Sequence, residues 1–176
     1  SISDYFKAQS GGQFLLNFDV AGPVTLSHGY RYYGQNYYGY DLYPDVMVRE
    51  ACKAVDSSVN FKQYDWDGDG EVEEVFILYA GHGENDTSNS NLIWPHMSKL
   101  AEYTDGTLTL DGVTINTYAC TSELQADGSL AGIGTFCHEF SHCMGFPDMY
   151  DTTDGGTNYG MSSWDLMDYG SYNDDT

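Results

Sequence analysis

Blocks of apolar residues with different periods run along this chain, and each block predicts an element. Ser1 to Ala8 reads as a short helix with Ser3 or Asp4 near its start, stopped by Gly11 and Gly12. Gln13 to Val20 (QFLLNFDV) reads as a strand, and Gly34 to Tyr43 (GQNYYGYDLY) as a surface loop pinned by its aromatics. Pro44 opens a helix in which Val48, Ala51, Cys52 and Val55 fall at i, i+3, i+4 and i+7, one apolar face to lay on a sheet. Val75 to Ala80 (VFILYA) is apolar without interruption, which predicts burial on both faces and a central place in the sheet. Leu92 to His96 is a shorter strand that Pro95 moves to an edge. Residues 107 to 118 alternate on both sides of Asp111-Gly112, a hairpin signal. A second helix spans Thr135 to Met144 and stops at Gly145; a loop-rich tail follows. With no internal repeat and no linker, the order predicts an α+β (α/β-like) domain.

Composition narrows the partners. At 176 residues the chain suits one domain with a core of its own, and 41% hydrophobic content excludes global disorder. A formal charge of −21, with 27 acidic against 6 basic residues, excludes nucleic acid and anionic membranes as partners and favours cations. No apolar run reaches the roughly 20 residues of a membrane span, so no membrane insertion is expected. The chain does not open as a leader peptide does, so Ser1 reads as the start of a processed fragment. Cys52, Cys120, Cys137 and Cys143 fit no zinc ribbon or redox motif; a Cys120–Cys137 bridge and four free thiols are equal expectations.

The sharpest chemistry lies in the second helix, at His138-Glu139-Phe140-Ser141-His142. Histidines at i and i+4 share one helix face, about 6 Å apart, so both imidazoles reach a single zinc ion. Glu139, one residue past the first ligand, then stands beside a metal-activated water and can take its proton. A bare H-E-x-x-H is only a moderate signal. Here Gly145 follows three residues after the second histidine, and Asp148 three residues later. The glycine lets the backbone turn sharply and bring an acidic third ligand back to the metal. No Glu follows Glu139, and His28, His82 and His96 all lie upstream. Asp148 is therefore the favoured third ligand, with Asp151 in its place if the loop runs one turn longer. Downstream, Met167 sits at a tight bend where it can floor the metal site. Tyr169 is read either as a group that approaches the metal or the oxyanion, or as core packing.

The string HEFSHCMGFPDMYD followed by WDLM resembles the immune inhibitor A family of secreted metallopeptidases. The resemblance extends upstream through SISDYFKAQSGGQF, DWDGDGEVEEVFILYAGHGEN and IWPHMS, and so covers most of the chain. It implies a metzincin-like zinc peptidase domain, a mixed twisted sheet with a backing helix and an active-site helix. It also implies His138, His142 and Asp148 as zinc ligands, Glu139 as general base and Met167 as the Met-turn residue. Asp168-Tyr169 after that methionine is more similar to the tyrosine-bearing turn of astacins. On this reading residues 1–176 are a single catalytic domain, with an upper part to about residue 147 and a lower part from 148 to 176. That lower part is short, and the final helix of such folds is expected to be missing.

A second cation site is predicted upstream. Asp65, Asp67, Asp69 and Glu73 take loop positions 1, 3, 5 and 9, and Glu71 at position 7 offers its backbone carbonyl. Gly70 permits the sharp turn, while Phe76 at position 12 rules out a full EF-hand. The pattern predicts a structural calcium ion, for which extracellular calcium suffices. Together these features predict a secreted or cell-surface zinc endopeptidase, a monomer, acting on protein or peptide substrates. The competing expectation is a calcium-stabilised adhesion or binding module with a vestigial peptidase site. An intact Glu139 argues against it, because such a module has no use for the base.

Overall fold

The computed structural model describes residues 1–153 and 157–173. The chain forms two compact units, Ser1–Ala21 with Gly132–Thr176, and Gly22–Ala131. Helix α1 spans Ile2–Gln9. Its cap is Ser1, not Ser3 or Asp4: the Ser1 hydroxyl accepts from the Asp4 amide at 3.3 Å and donates to the Asp4 carboxylate at 2.8 Å. Asp4 lies three residues after Ser1, the spacing that closes a capping box. Gln13 to Val20 is extended but belongs to no ladder among the described residues. Its alternation marks one buried face without supplying a hydrogen-bonding neighbour. Phe14 meets Phe6 with ring centroids 5.8 Å apart, and Leu16 is buried.

In the second unit the expected loop at Gly34–Tyr43 is more ordered than its composition suggests. Helix α2 (Tyr30–Gly34) leads into a tight hairpin of β1 (Asn36–Tyr37) and β2 (Tyr40–Asp41). Tyr38 and Gly39 turn it with positive φ, the geometry a two-residue hairpin turn requires. Helix α3 (Pro44–Val55) buries Val48, Ala51 and Cys52, as its spacing predicts, and Met47 besides, while Val55, the last residue of the expected face, is partly buried. Inside the same helix Arg49 pairs with Asp45 at 3.3 Å and donates to the carbonyls of Gly106 and Thr107, so a buried charge is fully engaged.

Strand β3 (Val75–His82) is followed by a helical turn α4 (Glu84–Thr87), β4 (His96–Lys99), a hairpin of β5 (Leu108–Leu110) and β6 (Val113–Ile115), and β7 (Thr117–Leu124). The main sheet is mixed, in the order β3-β7-β4: β3 runs parallel to β7 and β4 antiparallel. The expectation of a central VFILYA strand is therefore corrected. The centre is β7, whose Tyr118, Ala119, Cys120, Thr121 and Ser122 are all buried, whereas Leu78 of β3 is 63% exposed. Hydropathy hides β7 because three of its buried side chains, Tyr118, Thr121 and Ser122, carry hydroxyls. Strand β4 takes the edge, as expected, but it begins at His96, directly after Pro95, and runs to Lys99 in place of the expected Leu92–His96. The β5–β6 turn has Asp111 and Gly112 at φ 51° and 82°.

Helix α5 (Gly134–Cys143) completes the first unit. Its back face is aromatic: Phe140 meets Phe6 at 5.2 Å and Phe18 at 5.8 Å, and Phe136 meets Phe18 at 5.3 Å. The extended segment thus serves as an apolar strap over the helix. A Cβ at Gly134 would overlap the Ser171 carbonyl, so glycine allows the turn at Tyr169–Tyr172 to abut the start of α5. The four cysteines are free thiols. Among the described residues no helix is long and apolar enough to cross a membrane.

Candidate metal centre

The H-E-x-x-H residues sit on α5 with the histidines on the face opposite the phenylalanines. The helix ends in a Schellman turn: the Gly145 amide donates to the His142 carbonyl at 2.9 Å and the Phe146 amide to Ser141 at 3.1 Å, with Gly145 at φ 92°. That turn also delivers the Phe146 carbonyl to His142, whose Nδ1 donates to it at 2.8 Å. His138 Nδ1 donates likewise to the Leu166 carbonyl at 2.8 Å. A carbonyl only accepts, so both rings carry a proton on Nδ1, and in the neutral imidazole this leaves the lone pair at Nε2.

These two lone pairs converge on Asp148. The Nε2 atoms are 3.1 Å apart, and each is 3.3 Å from Asp148 Oδ1. Asp148 Oδ1 is buried and has no hydrogen-bond donor. Three electron-rich atoms facing one another repel unless a cation lies between them. Ligands about 2.0–2.1 Å from a tetrahedral zinc stand about 3.3–3.4 Å from one another, close to the observed triangle. The donor set therefore fits zinc, and the three residues form a metal-ligand group. Asp151, the alternative third ligand, instead accepts from Thr153 and Asn158.

Glu139 is buried on the same helix. Tyr150, two residues after Asp148, hydrogen-bonds the Asp148 carboxylate and lies within electrostatic reach of Glu139; burial first, then these carboxylates, push its hydroxyl up to about 12. Sequence spacing alone did not single out Tyr150, though its place just past the third ligand was the available signal. Tyr169 stands beside it, ring centroids 6.4 Å apart, and is mostly exposed. Met167 is buried, and its carbonyl accepts from the Met149 amide at 2.8 Å. The upstream histidines are occupied elsewhere: His82 with the Gln125 carbonyl, His96 with Trp94 and Tyr118, His28 with Ser27.

In the second unit the carboxylates of Asp65, Asp67 and Asp69 gather into another possible cation site. Their outer oxygens brace the loop by accepting from the amides of Gly70, Asp69 and Glu71 respectively. Asp65 Oδ1 is buried without a donor. Glu73 accepts from the amides of Trp66 and Asp67, and so closes the loop upon itself. Glu71 is bridged to Thr114 on β6.

Known proteins accord with this arrangement. The chain is 28% identical over 194 residues to the pre-pro-metalloprotease PrtV of Vibrio cholerae serotype O1, covering 98% of the chain and 21% of that protein. It is 27% identical over 200 residues to immune inhibitor A of Bacillus thuringiensis subsp. alesti, covering 98% of the chain and 28% of that protein. The chain thus spans about a fifth to just over a quarter of the length of these curated relatives. The family described as immune inhibitor A peptidase M6, catalytic domain, matches residues 1–176. The chain therefore belongs to this family of peptidases.

Proposed function

We propose that this domain is a secreted, metzincin-like zinc endopeptidase in which His138, His142 and Asp148 hold the metal and Glu139 is the general base. The observation that carries the reading is the triangle of His138 Nε2, His142 Nε2 and Asp148 Oδ1, with edges of 3.1, 3.3 and 3.3 Å. Zinc bound there supplies a Lewis acid that polarises a peptide carbonyl and acidifies water. Glu139 takes the proton of the attacking water on its carboxylate and passes it to the leaving amine. The Tyr150 hydroxyl gives its hydrogen bond to Asp148, and Tyr169 beside it is the side chain suited to donate to the developing oxyanion. Met167 closes the floor and keeps water from the ligands' rear.

The Asp65–Asp69 loop holds a structural calcium ion in the same reading, with Glu71 contributing its carbonyl and Glu73 bracing the loop amides. Its support is the clustering of three carboxylates around a buried oxygen that lacks a donor. The word "pre-pro" in the name of the Vibrio relative denotes a leader and a pro-segment on that protein, which supports an extracellular setting here. A vestigial-site adhesion module is disfavoured by the intact base and ligand triangle. Elemental analysis of the purified protein is expected to give one zinc and one calcium per chain. Glu139→Ala is expected to keep the zinc and lose about 10²–10⁴-fold in cleavage of an unfolded protein substrate. Undiminished cleavage by that variant would sink the mechanism.

A further inference from the structure

We propose that Asp165 and Asp168 are positioning residues of the metal site, acting through the two carbonyls of the Leu166–Met167 segment between them. These consecutive carbonyls face two different ligand-bearing segments. Leu166 accepts from His138 Nδ1 at 2.8 Å, and Met167 accepts from the amide of Met149, the residue after Asp148, at 2.8 Å. One dipeptide therefore orients the first histidine and the acidic ligand together. Hydrogen bonding behind a ligating histidine sets both ring orientation and ligand basicity.

The dipeptide is held by carboxylates rather than by regular structure. Asp165 Oδ1 accepts from the Met167 amide at 2.8 Å, and the Asp165 carbonyl accepts from the amides of Asp168 and Gly170. Asp168 is 3% exposed, and both its oxygens are used: Oδ1 accepts from the Tyr169 amide at 2.8 Å and Oδ2 from the Ser162 amide at 2.5 Å. No lysine, arginine or histidine pairs with it among the described residues, so its charge is compensated by backbone amides alone. A buried carboxylate is costly to leave unpaired, and one amide on each of its two oxygens fixes it as a clamp. Gly160 belongs to the clamp, because a Cβ there would lie 2.5 Å from Asp168 Oδ2 and overlap the Met149 carbonyl. The same clamp therefore touches the segment that carries Asp148. Asn at position 168 keeps the shape but replaces one acceptor with a donor aimed at an N–H, whereas at position 165, where Oδ1 takes the Met167 amide, alanine removes the acceptor.

The inference rests on the zinc reading above, and its test separates the two. Cobalt(II) is titrated into the metal-free wild type, Asp165→Ala, Asp168→Asn and His142→Ala, following the visible d–d absorption. Unfolding of the metal-free forms is recorded alongside. Asp168→Asn is expected to fold, to bind cobalt on the order of 10–100-fold more weakly and to shift the d–d band; Asp165→Ala moves the same way by less. A variant that loses thermal stability yet keeps wild-type cobalt affinity and spectrum would overturn the positioning role, since a merely structural residue behaves so. If Asp168→Asn does not fold, Asp165→Ala decides by the same criterion. Wild-type cobalt binding that survives His142→Ala overturns the zinc reading itself, whatever the aspartate variants do.

Discussion

Replacing Gly145 by alanine probes the link between the backbone of the Schellman turn and the metal ligands. Gly145 sits at φ 92°, and a Cβ built there meets nothing within 4 Å, so the substitution adds conformational strain without a clash. Forcing an L-residue into the left-handed region costs about 1–2 kcal/mol. For a chain of this size each kcal/mol moves Tm by about 2–4 °C, so the metal-free variant should melt about 2–8 °C below the wild type. A second effect follows from the Phe146 carbonyl that the turn presents to His142 Nδ1 at 2.8 Å. If the turn relaxes, that acceptor moves, and zinc affinity should fall by up to about 10–100-fold. Thermal melts of chelated and zinc-loaded protein, with zinc competition against a fluorescent chelator, measure the two effects separately. Gly145→Asn should fall between alanine and glycine, because Asn tolerates this conformation better. Wild-type Tm and zinc affinity in Gly145→Ala would refute the reasoning that a left-handed residue at 145 aims the second histidine.

Two further outcomes concern the second unit. Asp41 is half-buried: its Oδ2 accepts from the Trp94 amide at 3.0 Å and its Oδ1 has no donor. Burial is the main cause that pushes its carboxyl up to about 7, with Glu84 adding to the rise, and the Trp94 amide and His96 opposing it. Between the ordinary value of 3.8 and about 7 the folded state holds a proton that the unfolded state has lost, so this residue's contribution to stability declines as pH rises through that window. Subtracting Asp41→Asn melts from wild-type melts over pH 4 to 8 should expose that decline, and a flat difference would count against it. Calcium should raise the Tm of the wild type, by the equivalent of about 2.7 kcal/mol at a hundredfold excess over Kd. The gain should vanish in Asp67→Ala/Asp69→Ala; an equal gain in both proteins would rule the loop out as its source.

Local chemistry made much of this protein legible. Pro44 and the Val48–Cys52 spacing foretold α3, Asp111-Gly112 the hairpin, and Gly145 the end of α5, because in each a backbone conformation depends on one or two adjacent residues. The placing of sheet strands was less legible. Leu78 in its apolar run stands exposed, while Thr121 and Ser122 are buried in the central strand. Strand rank depends on which neighbours a strand finds, and hydropathy does not encode that. The Gln13–Val20 segment shows the same gap: its alternation was genuine, but the partner proved to be the aromatic face of a helix.

The sequence by itself determined that His138, His142 and Asp148 could meet as candidate metal ligands, since their spacing fits one helix face plus one glycine turn, and both are short-range properties. Only the tertiary structure decided what surrounds those ligands. Leu166 and Phe146 supply the carbonyls that set the histidine tautomers, Tyr150 rests on Asp148, and Asp165 and Asp168 clamp the segment beneath. Carbonyls belong to every residue and leave no mark in sequence, and the aspartates near the tail look alike until folding assigns them amides.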